Sequence, residues 1–180
     1  MKKLLSLLIT TLLISACTSP AKVSAPGFVT SCGQIRLLES ADKSALMGCL
    51  DGSAEINFHQ LKGPLLINVW GSWCEGCKQE MPYFVELYQS QLFKNEQIQM
   101  LGINVEEKSN KDAIDYIQKS GMSWPNLEDS SGVSKSIFGP GVPVTSFIDE
   151  NGKNVETKIG AYTNKKQLFN QVEKAFGIKL

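Results

Sequence analysis

The apolar positions along this chain follow two periods, one typical of buried strands and one typical of amphipathic helices. Residues 65–70 are apolar at every position except Asn68, which predicts a central strand buried on both faces. Residues 55–58 alternate between polar and apolar side chains, as a half-buried edge strand does. From residue 74 to residue 93 the apolar positions recur at steps of three and four, which predicts a helix with one buried face.

The second half of the chain continues with the same two periods and adds turn signals between them. The predicted elements there are a strand over 98–105, helices over 109–120 and 131–138, a hairpin of strands over 143–148 and 153–159, and a closing helix over 163–176. Strands that alternate with helices in this way indicate an α/β domain.

The first 16 residues have the composition of an export signal. Lys2 and Lys3 precede an apolar run over 4–14, and small residues follow it. The run is shorter than the roughly 20 residues that a helix needs to cross a bilayer. Residues 14–17, Ile-Ser-Ala-Cys, resemble a bacterial lipobox, in which Cys17 becomes the lipidated N-terminus. The alternative is an ordinary soluble signal peptide in which this cysteine is incidental.

These features divide the chain into three parts. Residues 1–16 are the predicted signal peptide, residues 17–31 a polar, proline-containing tether, and residues 32–180 one folded domain. The mature chain lacks two of the 18 basic residues, Lys2 and Lys3, and so carries 16 basic and 18 acidic residues. The sequence contains no basic patch of the kind that a nucleic-acid binder needs.

The candidate chemistry lies between the predicted central strand and the helix after it. Cys74 and Cys77, with two residues between them, lie at the predicted helix start, where free backbone N–H groups and the helix dipole favour a thiolate. A thiolate attacks disulfides, and a second cysteine one turn away resolves the mixed disulfide. We expect an exposed, acidified Cys74 as the attacking thiol and a less exposed Cys77 as the resolving thiol. A static disulfide or a pair of metal ligands is the alternative.

The neighbours of the two cysteines are expected to adjust their reactivity. Trp73 is predicted to cover the site, although packing alone would also explain a tryptophan there. Glu75 and Gly76 lie between the sulfurs. The Glu75 carboxylate opposes the effect of the helix on the thiolate and is expected to make the dithiol more reducing.

Cys32 and Cys49 are left over in the N-terminal part of the predicted domain. Two leftover cysteines in an exported protein usually pair, and closing this loop is expected to stabilise the fold by roughly 3 kcal/mol. A second redox pair that relays electrons to the first, free thiols and a bond to another protein stay open. A four-cysteine zinc site is not expected, because only one cysteine pair is closely spaced. No other metal and no cofactor is expected.

Four segments together match a known family. They are residues 68–82 (NVWGSWCEGCKQEMP), residues 141–149 (GVPVTSFID), residues 102–107 (GINVEE) and the N-terminal export signal. The chain resembles the membrane-anchored thioredoxin-like proteins of the TlpA/ResA/CcmG type over residues 45–176. The resemblance implies a thioredoxin-like fold, with a central mixed sheet flanked by helices and, in this chain, an N-terminal extension.

The resemblance also implies further site residues. The bond between Val142 and Pro143 is expected to be cis, which leaves the Val142 backbone free to pair with an extended client chain. Asn68 replaces the buried aspartate that manages the proton of the buried cysteine in cytosolic thioredoxins. In ResA-like proteins a glutamate on the neighbouring strand lies near the active site, and Glu107 is the match. It is expected to act as a general base, unless Glu106 and Glu107 lie on a solvated loop.

These features predict an extracytoplasmic thiol–disulfide oxidoreductase, anchored as a monomer to the bacterial cell membrane by its lipid. The resemblance implies that it reduces exported clients such as the haem-attachment cysteines of apocytochrome c, and that a membrane electron-donor protein re-reduces it. A disulfide-forming oxidant on the same fold is the alternative. A copper-binding chaperone is disfavoured because no histidine follows His59, and a peroxidase because Gly71 stands where its threonine would be.

Overall fold

The computed structural model describes residues 25–40 and 42–180. The predicted signal peptide and the predicted lipidation site, Cys17, lie outside the described residues. The predicted tether over residues 17–31 is described from residue 25 onward. There Gly27 and Phe28 donate backbone hydrogen bonds to the carbonyls of Gln118 and Met122, both at 2.9 Å, so this end of the segment lies against the domain.

The described domain is a seven-stranded mixed sheet flanked by helices, as the resemblance implied. The strands are β1 (Leu46–Cys49), β2 (Glu55–Asn57), β3 (Leu65–Trp70), β4 (Gln99–Val105), β5 (Asn126–Asp129), β6 (Val144–Ile148) and β7 (Asn154–Ile159). The helices are α1 (Glu75–Tyr88), α2 (Gln91–Lys94), α3 (Asn110–Ser120), α4 (Val133–Phe138) and α5 (Lys165–Phe176). The strand order across the sheet is β2-β1-β5-β4-β3-β6-β7. No helix in the described ranges is long and apolar enough to cross a membrane.

Strand β3 separates the two apolar cores of the domain. It runs parallel to β4 and antiparallel to β6, and all six of its residues are buried, as predicted. Leu66 and Trp70 point to the core under α1, α3 and α5, which also contains the Cys-x-x-Cys pair. Leu65, Ile67 and Val69 point to the opposite core, which α4 and the N-terminal extension cover. The redox pair therefore belongs to one face of the sheet only.

The periodicity predicted most elements within one or two residues of their ends, but it missed β1 and β5. Strand β5 is polar in sequence, and its Asn126 can be buried because hydrogen bonds satisfy the side chain. The Asn126 side chain accepts one from the Trp70 indole N–H at 2.9 Å and donates one to the Trp124 carbonyl at 2.7 Å. The helix predicted over residues 74–93 was wrong as one element, since the extended backbone of Ser90 separates α1 from α2.

A disulfide between Cys32 and Cys49 attaches the N-terminal extension to β1. Both cysteines are buried in the core that lies opposite the Cys-x-x-Cys pair. The extension is also held by the Arg36 guanidinium, which donates to the Pro64 carbonyl at 3.0 Å, and by the Leu38 N–H, which donates to a backbone carbonyl at 2.7 Å. The extension is therefore an integral layer of the domain from Cys32 onward.

Candidate active site

Helix α1 begins at the Cys-x-x-Cys pair. Cys74 is the N-cap residue, and its sulfur accepts a hydrogen bond from the Cys77 N–H at 3.1 Å. The two sulfurs are joined in a disulfide. The position at the helix start is confirmed, but the expected exposure of Cys74 is wrong: its exposed fraction is only 5%, against 0% for Cys77. The Cys74 sulfur is turned inward because it is bonded to Cys77 and caps the first turn.

The loop before Cys74 is held in place by Glu107. The Glu107 carboxylate accepts hydrogen bonds from the Ser72 N–H at 2.5 Å, the Ser72 hydroxyl at 2.7 Å and the Asn104 amide at 2.9 Å. All three donors belong to the loop or to β4, and no hydrogen bond links Glu107 to a cysteine in the described ranges. The general-base role of Glu107 stays a prediction, and its observed contacts are those of a residue that positions the loop. Its neighbour Glu106 is exposed.

Trp73 lies at the border between the active site and a neighbouring cavity. Its indole N–H donates to the Val105 carbonyl at 3.3 Å, and its ring packs over Gly71. The side chain is nevertheless 48% exposed, which is unusual for a large aromatic residue. An aromatic surface beside the reactive sulfurs is therefore open to a binding partner.

The loop that faces the cysteines carries the expected cis peptide bond between Val142 and Pro143. A Cβ atom on Gly76 would lie 3.3 Å from Pro143 Cδ and 3.4 Å from Ala161 Cβ. Gly76 thus lets the first turn of α1 approach this loop closely. The Pro143 carbonyl accepts a hydrogen bond from the Gly160 N–H, whereas the Val142 backbone makes none with any other backbone group that the structure describes.

Glu80 is a buried carboxylic acid that the sequence analysis missed. It lies one turn after Cys77 on the same face of α1, and both side chains are fully buried. Burial raises the pKa of Glu80 from 4.5 to about 7, although hydrogen bonds and the charge of Lys158 act against this. Its carboxylate accepts hydrogen bonds from the Asn68 amide at 3.2 Å and the Tyr162 N–H at 2.9 Å. A polar residue three positions after Cys77, within the buried stripe of the helix, was the signal in the sequence.

The Asn68 side chain has one polar atom without a hydrogen-bond partner. Its amide nitrogen donates to Glu80, but its carbonyl oxygen, Oδ1, is buried without a partner. Thr145 lies opposite Asn68 across β3 and β6, and its hydroxyl is also buried and unpaired. At the strand position compared above with the buried aspartate of thioredoxins, this chain therefore has an amide, Asn68. That amide contacts the carboxyl group of Glu80 on the adjacent helix.

Glu75 lies at the solvent side of the helix start. Its side chain is 75% exposed and lies 3.9 Å from the Lys78 ammonium. Charges this exposed are screened by water and salt, and such ion pairs contribute little. Glu75 is therefore placed less well than Glu80 to influence the buried sulfurs.

Potential metal ligands do not gather at the redox pair. In the part of the chain that the structure describes, the one group of three potential ligands consists of Cys32, Cys49 and Asp51. The two sulfurs of that group are joined in a disulfide and are not free to bind a metal. His59 lies exposed on a short 3₁₀ helix.

The fold and the site define the class of the protein. Disulfide exchange needs an attacking thiol at a helix start, a resolving thiol one turn further and a surface on which a client chain can lie. Cys74 lies at such a helix start, Cys77 lies one turn further, and the cis-proline loop faces them. The protein is a thiol–disulfide oxidoreductase with a thioredoxin-like fold.

Comparison with known proteins agrees with this class. The chain belongs to the AhpC/TSA family, whose model matches residues 41–157. It is 33% identical over 122 residues to the thiol-disulfide oxidoreductase ResA of Bacillus thuringiensis, a match that covers 67% of this chain and 68% of that protein. The ResA of Bacillus subtilis is 32% identical over 111 residues, or 60% of each chain.

Solved structures share the fold. A secreted disulfide oxidoreductase of Mycobacterium tuberculosis aligns with a TM-score of 0.61 at 20% identity, over 72% of this chain and 94% of that one. StoA from Bacillus subtilis aligns with a TM-score of 0.54 at 24% identity, over 68% of this chain and 91% of that one.

Proposed function

We propose that this protein reduces disulfides in exported client proteins, outside the cytoplasmic membrane, while a lipid on Cys17 anchors it. The observation that carries the proposed direction is the buried Glu80 beside Cys77. The location and the anchor are supported by the export signal and the lipobox in the sequence. The likeness to ResA supports the same kind of chemistry.

The reaction would proceed through two exchanges. The Cys74 thiolate attacks one sulfur of the client disulfide, so that a Cys74–client bond forms and the other client sulfur leaves as a thiolate. The Cys77 thiolate then attacks the Cys74 sulfur, which closes the Cys74–Cys77 disulfide and releases the second client thiol. Two electrons pass to the client, and the two thiol protons of the protein end on the client thiols.

Glu80 would handle the proton of Cys77. Cys77 is fully buried and must lose its proton before it attacks, and Glu80 is the buried carboxylic acid one turn away. With a pKa of about 7, Glu80 has comparable amounts of acid and base near neutral pH, which suits proton transfer in both directions. Asn68 and the Tyr162 N–H orient its two oxygens.

Glu80 also favours reduction of the client over oxidation. A strong oxidant of this class owes its potential to a stabilised reduced form, usually a stabilised thiolate. A buried carboxylate near the sulfurs acts in the opposite direction, because it disfavours a second negative charge. From the sequence, Glu75 was expected to make the dithiol more reducing and Glu107 to act as a general base. Glu75 is exposed to solvent and the Glu107 carboxylate is engaged with Ser72, so Glu80 is the acid that supports the preference for reduction.

The client would bind as an added strand. The free backbone of Val142 and the exposed ring of Trp73 flank the redox pair, and both suit an extended polypeptide. Exported proteins with a disulfide, such as an apocytochrome c with its haem-attachment cysteine pair, fit this arrangement. A membrane electron-donor protein would return the Cys74–Cys77 pair to the dithiol, and the protein would act as a monomer.

The reduction potential of the Cys74–Cys77 couple tests the direction. We expect a value of roughly −270 mV or lower, as for thioredoxin. The measurement uses a variant with Cys32→Ser and Cys49→Ser, so that only one disulfide titrates. A value near roughly −120 mV, as for a strong periplasmic oxidant, would overturn the assignment and indicate a disulfide-forming enzyme.

Fractionation of cells tests the anchor. We expect the parent protein in the membrane fraction with a lipid on its first mature residue, and the Cys17→Ser variant in the soluble exported fraction. A variant that stays on the membrane and still carries lipid would contradict the proposed anchor. The Cys32→Ser variant is the matched control, because it removes a cysteine without affecting the lipobox.

A further inference from the structure

Lys158 lies at an inward-facing position of the edge strand β7. It is paired with Thr145 of β6, which is itself paired with Asn68 of β3, so the three side chains point to the same face of the sheet. That face is covered by α1 and contains the core to which the Cys-x-x-Cys pair belongs. Lys158 is half-buried there, although lysine is among the residues that are most often exposed. The contacts of its ammonium group show what this position provides.

The ammonium group of Lys158 binds the turn that follows β7. It donates hydrogen bonds to the Gly160 carbonyl and, at 3.0 Å, to the Ala161 carbonyl. It also lies 4.7 Å from the centroid of the Tyr162 ring, within the range of a cation–π interaction. These contacts fix the backbone of the turn up to Tyr162.

A single peptide group connects this ammonium to Glu80. The carbonyl of the peptide between Ala161 and Tyr162 accepts from Lys158 at 3.0 Å, and the N–H of the same peptide donates to Glu80 at 2.9 Å. Hydrogen bonds in such a chain polarise one another, so a positive charge at the carbonyl end strengthens the N–H as a donor. The peptide therefore transmits the effect of the ammonium to the carboxylate and fixes the orientation of one carboxylate oxygen.

The charge of Lys158 also acts on Glu80 through space. Burial raises the pKa of Glu80 to about 7, and the charge of Lys158 acts in the opposite direction because it stabilises the carboxylate. Tyr116 of α3 and Tyr162 interact with Glu80 as well, but burial raises the pKa of both phenols, so they stay neutral near neutral pH. Cys77 lies one turn before Glu80 on α1 and is the group whose proton Glu80 would accept.

We propose that Lys158 is a positioning residue for the proton transfer from Cys77. Its ammonium orients Glu80 through the shared peptide and supplies the positive charge that keeps this buried acid able to ionise. When the proton moves from the Cys77 sulfur to a Glu80 oxygen, the negative charge moves to the sulfur, and Lys158 keeps its own proton throughout. This inference rests on the proposed role of Glu80 as the proton acceptor.

The test follows the closing of the Cys74–Cys77 disulfide over a range of pH. Cys74 of the reduced full chain attacks the dimer of thionitrobenzoate, which forms a mixed disulfide and releases one coloured thionitrobenzoate thiolate. Cys77 then attacks the Cys74 sulfur and releases the second thiolate in a first-order step, whose rate reports the deprotonation of Cys77. All samples carry Cys17→Ser and keep the Cys32–Cys49 disulfide, so that no further thiol reacts.

In the parent we expect the rate of this second step to rise around pH 7, as Glu80 loses its proton. Lys158→Met keeps an unbranched side chain but removes the charge, so the midpoint of this rise should move up by about one pH unit. The rate should then fall about tenfold on the acid side of the midpoint and stay within about a factor of two of the parent rate well above it. A purely structural defect would lower the rate by the same factor at every pH.

Two further variants separate the charge from packing. Lys158→Arg keeps the charge, and its midpoint should lie within about 0.3 pH unit of the parent, a factor of about two in the ionised fraction. Lys174→Met is the matched control, because it removes a cation that lies 3.6 Å from Glu156 on the same face of β7, and its midpoint should not move. A shift below about 0.3 pH unit in Lys158→Met, or equal shifts in Lys158→Met and Lys158→Arg, would overturn the proposal. Lys158 would then be an inward-pointing charge that only protects the edge strand from pairing.

Glu80→Gln distinguishes a failure of this inference from a failure of the proposed function. We expect this variant to lose the rise in rate near neutral pH. If the rise persists in Glu80→Gln, Glu80 does not accept the proton, and the inference fails together with that part of the proposed function. If Glu80→Gln removes the rise but Lys158→Met leaves its midpoint in place, only the inference about Lys158 fails.

Discussion

Cys32–Cys49 and Cys74–Cys77 are both buried disulfides, one separated by 17 positions and the other by three. Their exposed fractions are similar, since none of the four cysteines exceeds 5%. Burial alone therefore does not distinguish the proposed redox pair from the proposed structural bridge. The difference lies in what surrounds the sulfurs.

The surroundings of the two pairs have different chemical consequences. Cys74 caps the start of α1, with a cis-proline loop, a buried acid and an exposed tryptophan close by. Cys32 lies in the extension, where its sulfur is 3.8 Å from the Asn126 carbonyl. The two pairs also lie in cores on opposite faces of the sheet, which supports a structural bridge over an electron relay between them. The following changes test this contrast.

The largest effect is expected from Cys74→Ser. A serine hydroxyl does not form a disulfide, so the variant should lose all measurable reduction of a disulfide substrate. The measurement is the turnover of insulin or a model peptide disulfide with dithiothreitol as the electron source. Cys77→Ser is the matched control, because it should still form a mixed disulfide with the substrate but should not release it. Turnover by the Cys74→Ser variant at the parent rate would remove this cysteine from the mechanism.

The double variant Cys32→Ser with Cys49→Ser is expected to lose stability without a change in the other cysteine pair. Opening this loop should lower the free energy of unfolding by about 3 kcal/mol in the chain-entropy model, while the potential of the other pair stays the same. Denaturant titration and redox titration of the same sample measure the two quantities. A shift of the Cys74–Cys77 potential by more than about 30 mV would contradict the contrast and support a relay.

The position of the Cys-x-x-Cys pair at the start of a helix was predictable from sequence because its signal is local. The signal consists of two cysteines at a strand–helix junction and a proline at the start of a later strand. Each motif is recognisable within a few residues of chain. Glu80 was not identified, because the hydrophobic pattern of α1 counts a glutamate as polar and therefore as exposed. Its burial depends on Asn68 and Tyr162, which are distant along the sequence.

The strands β1 and β5 were missed for a similar reason. Strand β5 reads Asn-Leu-Glu-Asp, and its two buried polar side chains are satisfied by hydrogen bonds, those of Asn126 with the two tryptophans and those of Asp129 with Ser134. Glu107 was assigned by resemblance, but what it contacts depends on the positions of Ser72 and Asn104 in the folded chain. In both regions the structure depends on contacts between segments that are distant along the chain, which a local sequence pattern does not reveal.

Glu80→Gln should change how stability depends on pH. In the parent protein Glu80 holds its proton up to about pH 7, whereas in the unfolded chain it loses the proton near 4.5. The parent therefore loses stability relative to the variant as pH rises from about 4.5 to 7, by an amount on the order of 3 kcal/mol. Denaturant titration of the oxidised proteins at pH 4.5 and pH 8 measures this difference without interference from free active-site thiols.

The glutamine is expected to fit. Its amide can donate to the unpaired Asn68 Oδ1 after the Asn68 amide turns over, and its carbonyl can accept from the Tyr162 N–H. Glu107→Gln is the matched control, since that carboxylate accepts hydrogen bonds from Ser72 and none from a group around Glu80. If Glu107→Gln rather than Glu80→Gln removes the pH dependence of stability, this would contradict the role of Glu80. The proton-handling role would then be assigned to Glu107, as expected from the sequence.

The smallest effect is expected from Glu75→Gln, although this residue lies between the two sulfurs in sequence. Its carboxylate is 75% exposed and close to Lys78, so solvent screens its field at the sulfurs. We expect the potential of the Cys74–Cys77 couple to change by less than about 10 mV, on a scale where about 30 mV corresponds to 1.4 kcal/mol. Glu86→Gln, at an exposed ion pair further along α1, is the matched control. A shift above about 30 mV in the Glu75 variant alone would show that proximity in sequence matters more than burial at this redox pair.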